Sequence, residues 1–359
     1  MDGWIKSGKY FYDTQGNPVQ AHGGQIVPYR GKFYWFGEDK TGIVGRNTGE
    51  STFHRWHNGV RLYVSEDLAA WEDRGIVIVN TDGDKFMPFH PANITERPHV
   101  IYNEKTKKFV MWAKECGPCD YSAKNYRCGY AVAVSDTIDG QYRFLRRENV
   151  AGGDFDLFCS GGKAFLAGER PHDAFCLYEL SEDYTSIVSE REHFSGTMPP
   201  FLPEAPCYLE RNGQSYFVCS HTTGYFPNPA FNIRIRELFG TWERSSETFR
   251  GDHRKNSFNS QISCIFRVPD SDLYVALADR WLVDLPPDYP DPVKLYNDMF
   301  HGDRRADGIL TKLTQQNTSL ATYCFYIVSF DENGEPYIEW RDEWKLSEEL
   351  SKRRRAEEK

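Results

Sequence analysis

A hairpin motif that occurs five times along the chain constrains the fold most strongly. Each copy has a short apolar strand, a polar turn and a second strand rich in aromatic and β-branched residues. Turns such as Gly161-Gly162 and Asn212-Gly213 are typical of β-hairpins. The copies span residues 25–38, 99–115, 156–170, 206–221 and 263–280. A supersecondary unit repeated in this way predicts a repeat architecture.

Further strand-like segments follow each hairpin. They lie at residues 59–64 and 76–79, 129–135 and 141–145, 175–180, 232–238, and 322–330 with 337–340. Five units of about four strands each, with almost no helical periodicity, predict an all-β protein with the architecture of a five-bladed β-propeller. Two β-sandwich domains are the alternative, but no linker separates the sequence into two halves.

The sequence predicts one propeller domain, residues 1–346, followed by a charged tail, residues 347–359, that forms a helix or frays. The tail is more typical of a solvated helix than of a nucleic-acid contact. A net charge of −9, from 43 basic and 52 acidic residues, disfavours binding to a phosphate backbone. No apolar run approaches the roughly 20 residues that span a bilayer. We therefore expect neither nucleic acid nor a membrane as partner, and we make no prediction of oligomeric state.

The chain begins without a basic segment followed by an apolar stretch, so no signal peptide is visible. This indicates a cytoplasmic protein, unless the sequence is part of a longer chain. The nine cysteines are an odd number and are spread along the chain, which suits a reducing compartment better than a disulfide framework. Cys116-Gly117-Pro118-Cys119 has redox-motif spacing, but it follows a hairpin rather than opening a helix, which disfavours a redox function.

The repeat register predicts one functional site. In a propeller, residues just before the innermost strand of each blade meet at one mouth of the central channel, and the second strands end at the same face. The first ring comprises His22, Glu96, Asp154, Glu204 and Gln261, and the second comprises Glu38, Lys114, Glu169, His221 and Asp279 with Arg280. Carboxylates held close together raise one another's pKa, so that one stays protonated. Together with aromatic side chains, this pattern indicates glycoside hydrolysis.

Seven short motifs also occur in a recognisable order. They are AHGG at 21–24, YWFGE at 34–38, ERP at 96–98, EAP at 204–206, TGY at 223–225, SQ at 260–261 and DRW at 279–281. This ordered set resembles family 43 glycoside hydrolases of the exo-β-1,3-galactanase type, and the resemblance covers about residues 10–346. It implies a five-bladed propeller and an exo-acting enzyme that inverts the anomeric carbon.

The resemblance implies a role for individual residues. Glu204 matches the general acid, and Glu96 matches the carboxylate that tunes the acid and orients substrate. Typical members have a general-base Asp where this chain has His22-Gly23-Gly24. In the galactanase-like branch a Gln positions the attacking water, and Gln261 matches that Gln. Because a neutral amide is a poor base, the residues themselves favour Glu38 as the alternative.

The predicted substrate contacts are His22, Asp154, Tyr126, Thr223, Gly224 and Arg280. We expect an oligosaccharide partner, no required cofactor and no catalytic metal; the only ion considered is a structural calcium in the channel.

The best match in activity is a galactan 1,3-β-galactosidase acting on side chains of plant-type polysaccharides. Gly152-Gly153-Asp154 replaces a usual Ser-Arg-Asp, and Lys114 replaces a usual His. These departures leave α-L-arabinofuranosidase, β-D-galactofuranosidase and β-xylosidase activities open. Since the base is not an ordinary carboxylate, a catalytically silent sugar-binding propeller is the alternative from another class.

Overall fold

The structure is a computed structural model that describes residues 3–43, 55–117, 127–170, 174–195, 203–283, 285, 294 and 318–357. Within these ranges, five sheets of similar design follow one another along the chain. In four of them the strands are antiparallel and hydrogen-bonded in chain order, as expected when short turns join successive strands. In the fifth sheet the four strands after the first follow the same order, and the short first strand pairs in parallel with the last one. We call the five sheets blades one to five.

The strands of blades one and two are β2 His22–Tyr29, β3 Lys32–Glu38, β4 Val60–Ser65, β5 Glu72–Ile78, β6 Ile94–Asn103, β7 Lys108–Gly117, β8 Arg127–Ser135 and β9 Arg143–Arg147. Blades three and four contain β10 Phe155–Ser160, β11 Lys163–Arg170, β12 Ala174–Leu180, β13 Ile187–Ser195, β14 Pro203–Arg211, β15 Gln214–His221, β16 Phe231–Ile235 and β17 Trp242–Glu247. Blade five contains β18 Phe249–Arg250, β19 Gln261–Arg267, β20 Tyr274–Arg280, β21 Thr322–Phe330 and β22 Pro336–Glu339.

The first strands of the four-strand repeat form a closed ring. Strand β2 packs against β6 and β19, β10 packs against β6 and β14, and β14 packs against β19. The five blades therefore surround a central channel, and the prediction of a five-bladed propeller is confirmed.

The core lies between neighbouring blades. Both faces of the inner strands are covered, so these strands are apolar almost throughout, as in β12 with the sequence AFCLYEL. The outermost strands β13 and β17 carry mainly polar side chains, and the sequence analysis did not predict them. An outermost strand with one solvent-exposed face has too few apolar residues to be distinguished from a loop by its hydrophobic pattern.

Four first strands contain a β-bulge next to the residue of the first ring, directly after it in blades one, two and four and one residue later in blade five. The strand register shifts between His22 and Gln25, between Glu96 and His99, between Glu204 and Cys207, and between Ile262 and Cys264. In blades one, two and four the next residue has a positive φ: 58° at Gly23, 54° at Arg97 and 49° at Ala205. A bulge bends its strand and changes the direction of a side chain. These bulges set the side-chain directions at the channel mouth.

The two ends of the chain close the ring. Strand β1, Ile5–Lys6, pairs with β23, Glu343–Trp344, so that Ile5 lies opposite Trp344. Helix α1, Leu346–Glu357, follows β23, and a 3₁₀ turn covers Thr318–Leu320. Among the described residues, no helix has the length and apolar character required to cross a bilayer.

The described residues include one disulfide, Cys116–Cys128, although the cysteine count favoured none. The physical reason is the register of blade two, which places these cysteines directly opposite each other on β7 and β8. Six other described cysteines are free thiols, and five of them are buried.

Candidate active site

The predicted rings meet at one mouth of the channel. The register sets His22 opposite Glu38, Glu96 opposite Lys114, and Gln261 opposite Asp279. Backbone hydrogen bonds place Asp154 beside Glu169 in blade three. In blade four the register differs from the prediction by one residue: Glu204 pairs with Ser220, and His221 pairs with Pro203. The bulge after Glu204 causes this shift, which sequence periodicity does not reveal.

A network of charged and amide groups connects blades two, three and five. Lys114 Nζ lies 2.9 Å from Glu96 Oε2 and 3.2 Å from Asp154 Oδ1. Arg97 Nη2 lies 2.8 Å from Asp154 Oδ2 and donates a hydrogen bond of 2.9 Å to Gln261 Oε1. Two cations therefore contact the Asp154 carboxylate, one on each oxygen.

The environments of Glu204 and Asp154 shift their pKa values in opposite directions. Burial, followed by the charges of Asp154 and Glu169, raises the pKa of Glu204 well above its usual range. Burial also opposes ionisation of Asp154, but Arg97 and Lys114 outweigh it and lower the pKa of Asp154 to about 2. Neighbouring carboxyls separated in this way are typical of an acid and its charged partner in catalysis.

The tuning and substrate-orienting role predicted for Glu96 stays a prediction. The carboxylates that most strongly raise the pKa of Glu204 are Asp154 and then Glu169. Glu96 forms the ion pair with Lys114 and keeps a partly exposed carboxylate at the mouth. This position allows a contact with a substrate hydroxyl.

The side-chain amide of Gln261 is held by three neighbours. Its Oε1 accepts hydrogen bonds from Arg97 Nη2 and, at 3.1 Å, from Trp281 Nε1. Its Nε2 donates a hydrogen bond of 2.9 Å to Ser220 Oγ. An amide oxygen has two lone pairs, and both have a donor here, which leaves the second N–H of Nε2 for a water molecule.

Glu38 lies close to an aromatic wall formed by Trp56, Tyr225 and Trp281. Its Oε2 is 3.1 Å from Lys40 Nζ, and that ammonium lies between 5.0 and 5.6 Å from the ring centres of Trp56, Tyr225 and Trp281. Burial raises the pKa of Glu38 to about 8, although Lys40 opposes the shift. This carboxyl changes charge in the neutral to alkaline range.

Asp279 completes this half of the site. Its Oδ1 accepts a hydrogen bond of 3.1 Å from the backbone N–H of Gly23, and burial raises its pKa to about 7. Asp279 also lies opposite Gln261 in blade five. It therefore links Gly23 in blade one with the residues around Gln261.

The remaining predicted contacts occupy several different environments. His22 is fully buried, and its Nε2 and Nδ1 form hydrogen bonds with the side chains of Gln20 and Tyr323. It lies behind the aromatic wall, where its ring packs against Trp281. The Thr223 hydroxyl donates a hydrogen bond to Phe226 O within its own turn. Gly224, in the same turn, is exposed.

Arg280 points away from the channel, because successive side chains of a strand alternate and Asp279 faces the mouth. The guanidinium donates to Phe258 O and lies 5.6 Å from the ring of Trp340. Tyr126 lies outside the described residues.

The sequence analysis assigned no role to Arg97 or Lys40. Alternation predicts that Arg97 faces away from Glu96, and only the bulge at Arg97 allows both side chains to reach the mouth. Lys40, two residues after Glu38, shares its side of the chain, so the period of two is a signal that could have indicated it.

One cluster of acidic groups has the spacing of metal ligands. Oxygens of Asp154, Glu169 and Glu204 lie within 4.8 Å of one another. Calcium prefers six to eight oxygen ligands, mostly ionised or carbonyl. Here Lys114 and Arg97 already neutralise Asp154, and Glu204 favours its protonated form. The cluster does not fit a calcium ion, and the channel calcium stays a prediction.

Residues 21–277 match the model of the glycosyl hydrolases family 43. The chain belongs to this family. A search of curated proteins gives no match.

Three solved family 43 or galactanase structures have a similar fold. A family 43 β-1,3-galactosidase has a TM-score of 0.78 and 24% identity, covering 99% of this chain and 66% of that one. Another, solved with galactodeoxynojirimycin, has a TM-score of 0.75 and 26% identity, covering 95% and 100%. An exo-β-1,3-galactanase from Clostridium thermocellum has a TM-score of 0.74 and 25% identity, covering 95% and 66%. The family 43 chain described here spans about two thirds of the length of two of these structures.

Proposed function

We propose that this family 43 protein is an inverting exo-glycoside hydrolase that removes terminal galactose from a β-1,3-linked galactan. The observation that carries the proposal is the opposite shift in pKa of Glu204 and Asp154 at one mouth of the channel. A protonated carboxyl beside a charged one can donate a proton to a leaving oxygen at neutral pH. The similarity to β-1,3-galactosidases supports the choice of sugar and linkage.

In the proposed reaction, Glu204 protonates the oxygen that links the terminal sugar to the rest of the chain. Water attacks the anomeric carbon from the opposite face. Gln261 orients this water through its free N–H, and a carboxylate must accept the proton because the amide cannot. Glu38 is the carboxyl that we assign to this step, with Lys40 holding its charged form.

The aromatic wall is suited to a sugar ring. Trp281 and Tyr225 lie 5.2 Å apart between ring centres and present apolar surface beside the polar network. Glu96, Asp154 and Lys114 on the other side offer acceptors and donors for hydroxyl groups. A site with one apolar and one polar side matches the two faces of a pyranose.

The test is hydrolysis of β-1,3-galactotriose followed by ¹H NMR. We expect galactose to be released from the non-reducing end, and its α-anomer to be the first product because the β-linkage is inverted. Appearance of the β-anomer first would contradict inversion. Aryl α-L-arabinofuranoside, β-D-galactofuranoside and β-xyloside serve as comparisons, and release from one of these alone would contradict the galactan assignment. Sugar binding without release from any substrate would support the silent propeller.

A further inference from the structure

A third carboxyl group lies beside the proposed acid and has no part in the reaction described above. Glu169, at the end of β11, is only 3% exposed. One of its oxygens lies within 4.8 Å of oxygens of both Glu204 and Asp154. Within the described part of the chain, Glu169 Oε2 has no hydrogen-bond partner, and neither has Glu204 Oε2. A buried carboxyl group, that of Glu169, and a half-buried one, that of Glu204, therefore face the same small space.

The backbone of blade three holds Glu169 in this place. Gly153 N donates a hydrogen bond of 2.8 Å to Glu169 O, so the two residues are tightly paired. A Cβ atom at position 153 would lie 2.2 Å from Cγ and 2.3 Å from Oε1 of Glu169. The side chain thus lies against a residue that has no side chain of its own, and its carboxyl is directed to the acid.

Within the described residues, charged and titratable groups face Glu169 from blades two, three and four. They are Arg97 and Lys114 from blade two, Tyr130 from β8, Asp154 from blade three and Glu204 from blade four. Burial, followed by the charge of Asp154, raises the pKa of Glu169 to about 7, while Lys114 opposes the shift. The two cations are already paired with Asp154 and Glu96, so neither forms an ion pair with Glu169 among the described residues.

We propose that Glu169 is a positioning residue that acts through Glu204: its carboxyl lies beside that of the acid and opposes the loss of the acid's proton. The inference rests on the proposed function of Glu204. Once Glu169 is ionised, its negative charge makes loss of a second proton nearby less favourable. The pair would then lose its protons in two coupled steps, with the proton of Glu204 lost last.

The first test is the pH profile of Glu169→Gln on β-1,3-galactotriose, a substrate with a poor leaving group. Removing the charge of Glu169 should lower the pH at which Glu204 deprotonates. We therefore expect the alkaline limb of kcat/KM to move to lower pH by roughly one unit. Glu179→Gln is the matched control, since Glu179 pairs with Lys163 at the surface of the same blade, and its profile should not change. A lower rate at every pH with an unmoved alkaline limb would overturn the proposal.

A second measurement requires neither turnover nor a folded Glu169 variant. Carboxyl ¹³C NMR of the wild type, with the Glu204 resonance identified by its loss in Glu204→Gln, should show a titration in two steps. A single step would overturn the coupling of the two residues. If the wild type releases no sugar, the proposed function fails, while this titration still decides whether Glu169 and Glu204 are coupled.

Discussion

At the scale of single residues, the site depends on charge partners more than on burial. Glu204 and Asp154 are both taken out of water, and burial alone would raise both pKa values. Ion pairs with Arg97 and Lys114 hold Asp154 charged, whereas Glu204 has no ion pair within 4.0 Å in the described part of the chain. The same fold thereby produces an acid and a permanent anion side by side.

The role of Glu204 is tested by Glu204→Gln. The amide cannot donate an acidic proton, so kcat/KM on β-1,3-galactotriose should fall by roughly 10²–10⁴-fold. An aryl galactoside with a good leaving group needs little protonation and should lose far less. Glu210→Gln, on the same strand but bonded to Tyr208 at its far end, is the control. Equal and small losses on both substrates would rule out Glu204 as the acid.

The assignments of Gln261 and Glu38 make different predictions. Below about pH 8 Glu38 binds a proton and cannot accept another, so wild-type kcat/KM should fall as the pH drops below that value. Glu38→Ala should be inactive and regain turnover with azide, giving a glycosyl azide of inverted configuration. Gln261→Ala should also be inactive, but azide should not restore it. Rescue of Gln261→Ala alone would reverse the two roles.

At the scale of the elements, β-bulges direct side chains of the first strands to the channel mouth and so form the site. Regular alternation would place Glu96 and Arg97 on opposite faces of β6, and the bulge brings both to the mouth. Blades one and four use the same device at Gly23 and Ala205. Blade three has no register shift between β10 and β11, and there Gly153 provides the space for Glu169.

The bulge of blade one can be tested with Gly23→Ala. A Cβ at this position would lie 3.0 Å from Glu38 Oε1, and a positive φ also costs a non-glycine residue about 1–2 kcal/mol. Gly16→Ala is a matched control, because Gly16 also has a positive φ but a Cβ added there would meet no atom within 4 Å. Both variants should lower the free energy of unfolding in urea, but only Gly23→Ala should reduce kcat. Equal activity in the two variants would contradict the predicted contact with Glu38.

At the scale of the whole molecule, the channel mouth has more acidic groups than basic ones. Among the described residues, the buried or partly buried cations are Lys40, Arg97 and Lys114, and the carboxyl groups are Glu38, Glu96, Asp154, Glu169, Glu204 and Asp279. Burial raises the pKa values of Glu38, Glu169, Glu204 and Asp279, which favours the protonated form of these carboxyls in the folded protein. Folding therefore depends on pH, and the dependence extends to Glu115 away from the mouth.

Glu115 allows the pH dependence of folding to be measured separately from catalysis, since it has no part in the proposed reaction. Burial raises its pKa to about 8, against hydrogen bonds from Thr95 and the backbone of Phe89. The folded chain keeps this proton at pH values where the unfolded chain, in which the pKa of this carboxyl is 4.5, has lost it. The stability from this group is fully present below about pH 4.5 and is lost as the pH rises towards 8.

We expect Glu115→Gln to reduce the fall in unfolding free energy between pH 5 and pH 8. One group contributes up to about 1.4 kcal/mol per pH unit in this range. Urea unfolding at several pH values measures the slope, and Glu179→Gln, a surface change in blade three, should keep the wild-type slope. A slope unchanged in Glu115→Gln would mean that Glu115 is ionised in the folded protein.

Local sequence signals were sufficient for the fold and for most of the site. Hairpin turns and two-residue alternation are set by neighbouring residues, so five hairpins, a propeller and the ring positions of Glu96, Glu204 and Gln261 could be predicted. The outermost strands β13 and β17 were missed because their polar side chains satisfy no apolar pattern.

Packing between blades decided the rest. The bulges arise where first strands meet around the channel, and they turn Arg97 inwards and replace His221 with Ser220 as the partner of Glu204. The partners of each carboxyl come from blades distant in sequence, so no local pattern predicts that Asp154 and Glu169 are the carboxylates that most strongly raise the pKa of Glu204. Side-chain type and spacing are local properties, whereas the electric field at the mouth depends on contacts that only the closed ring creates.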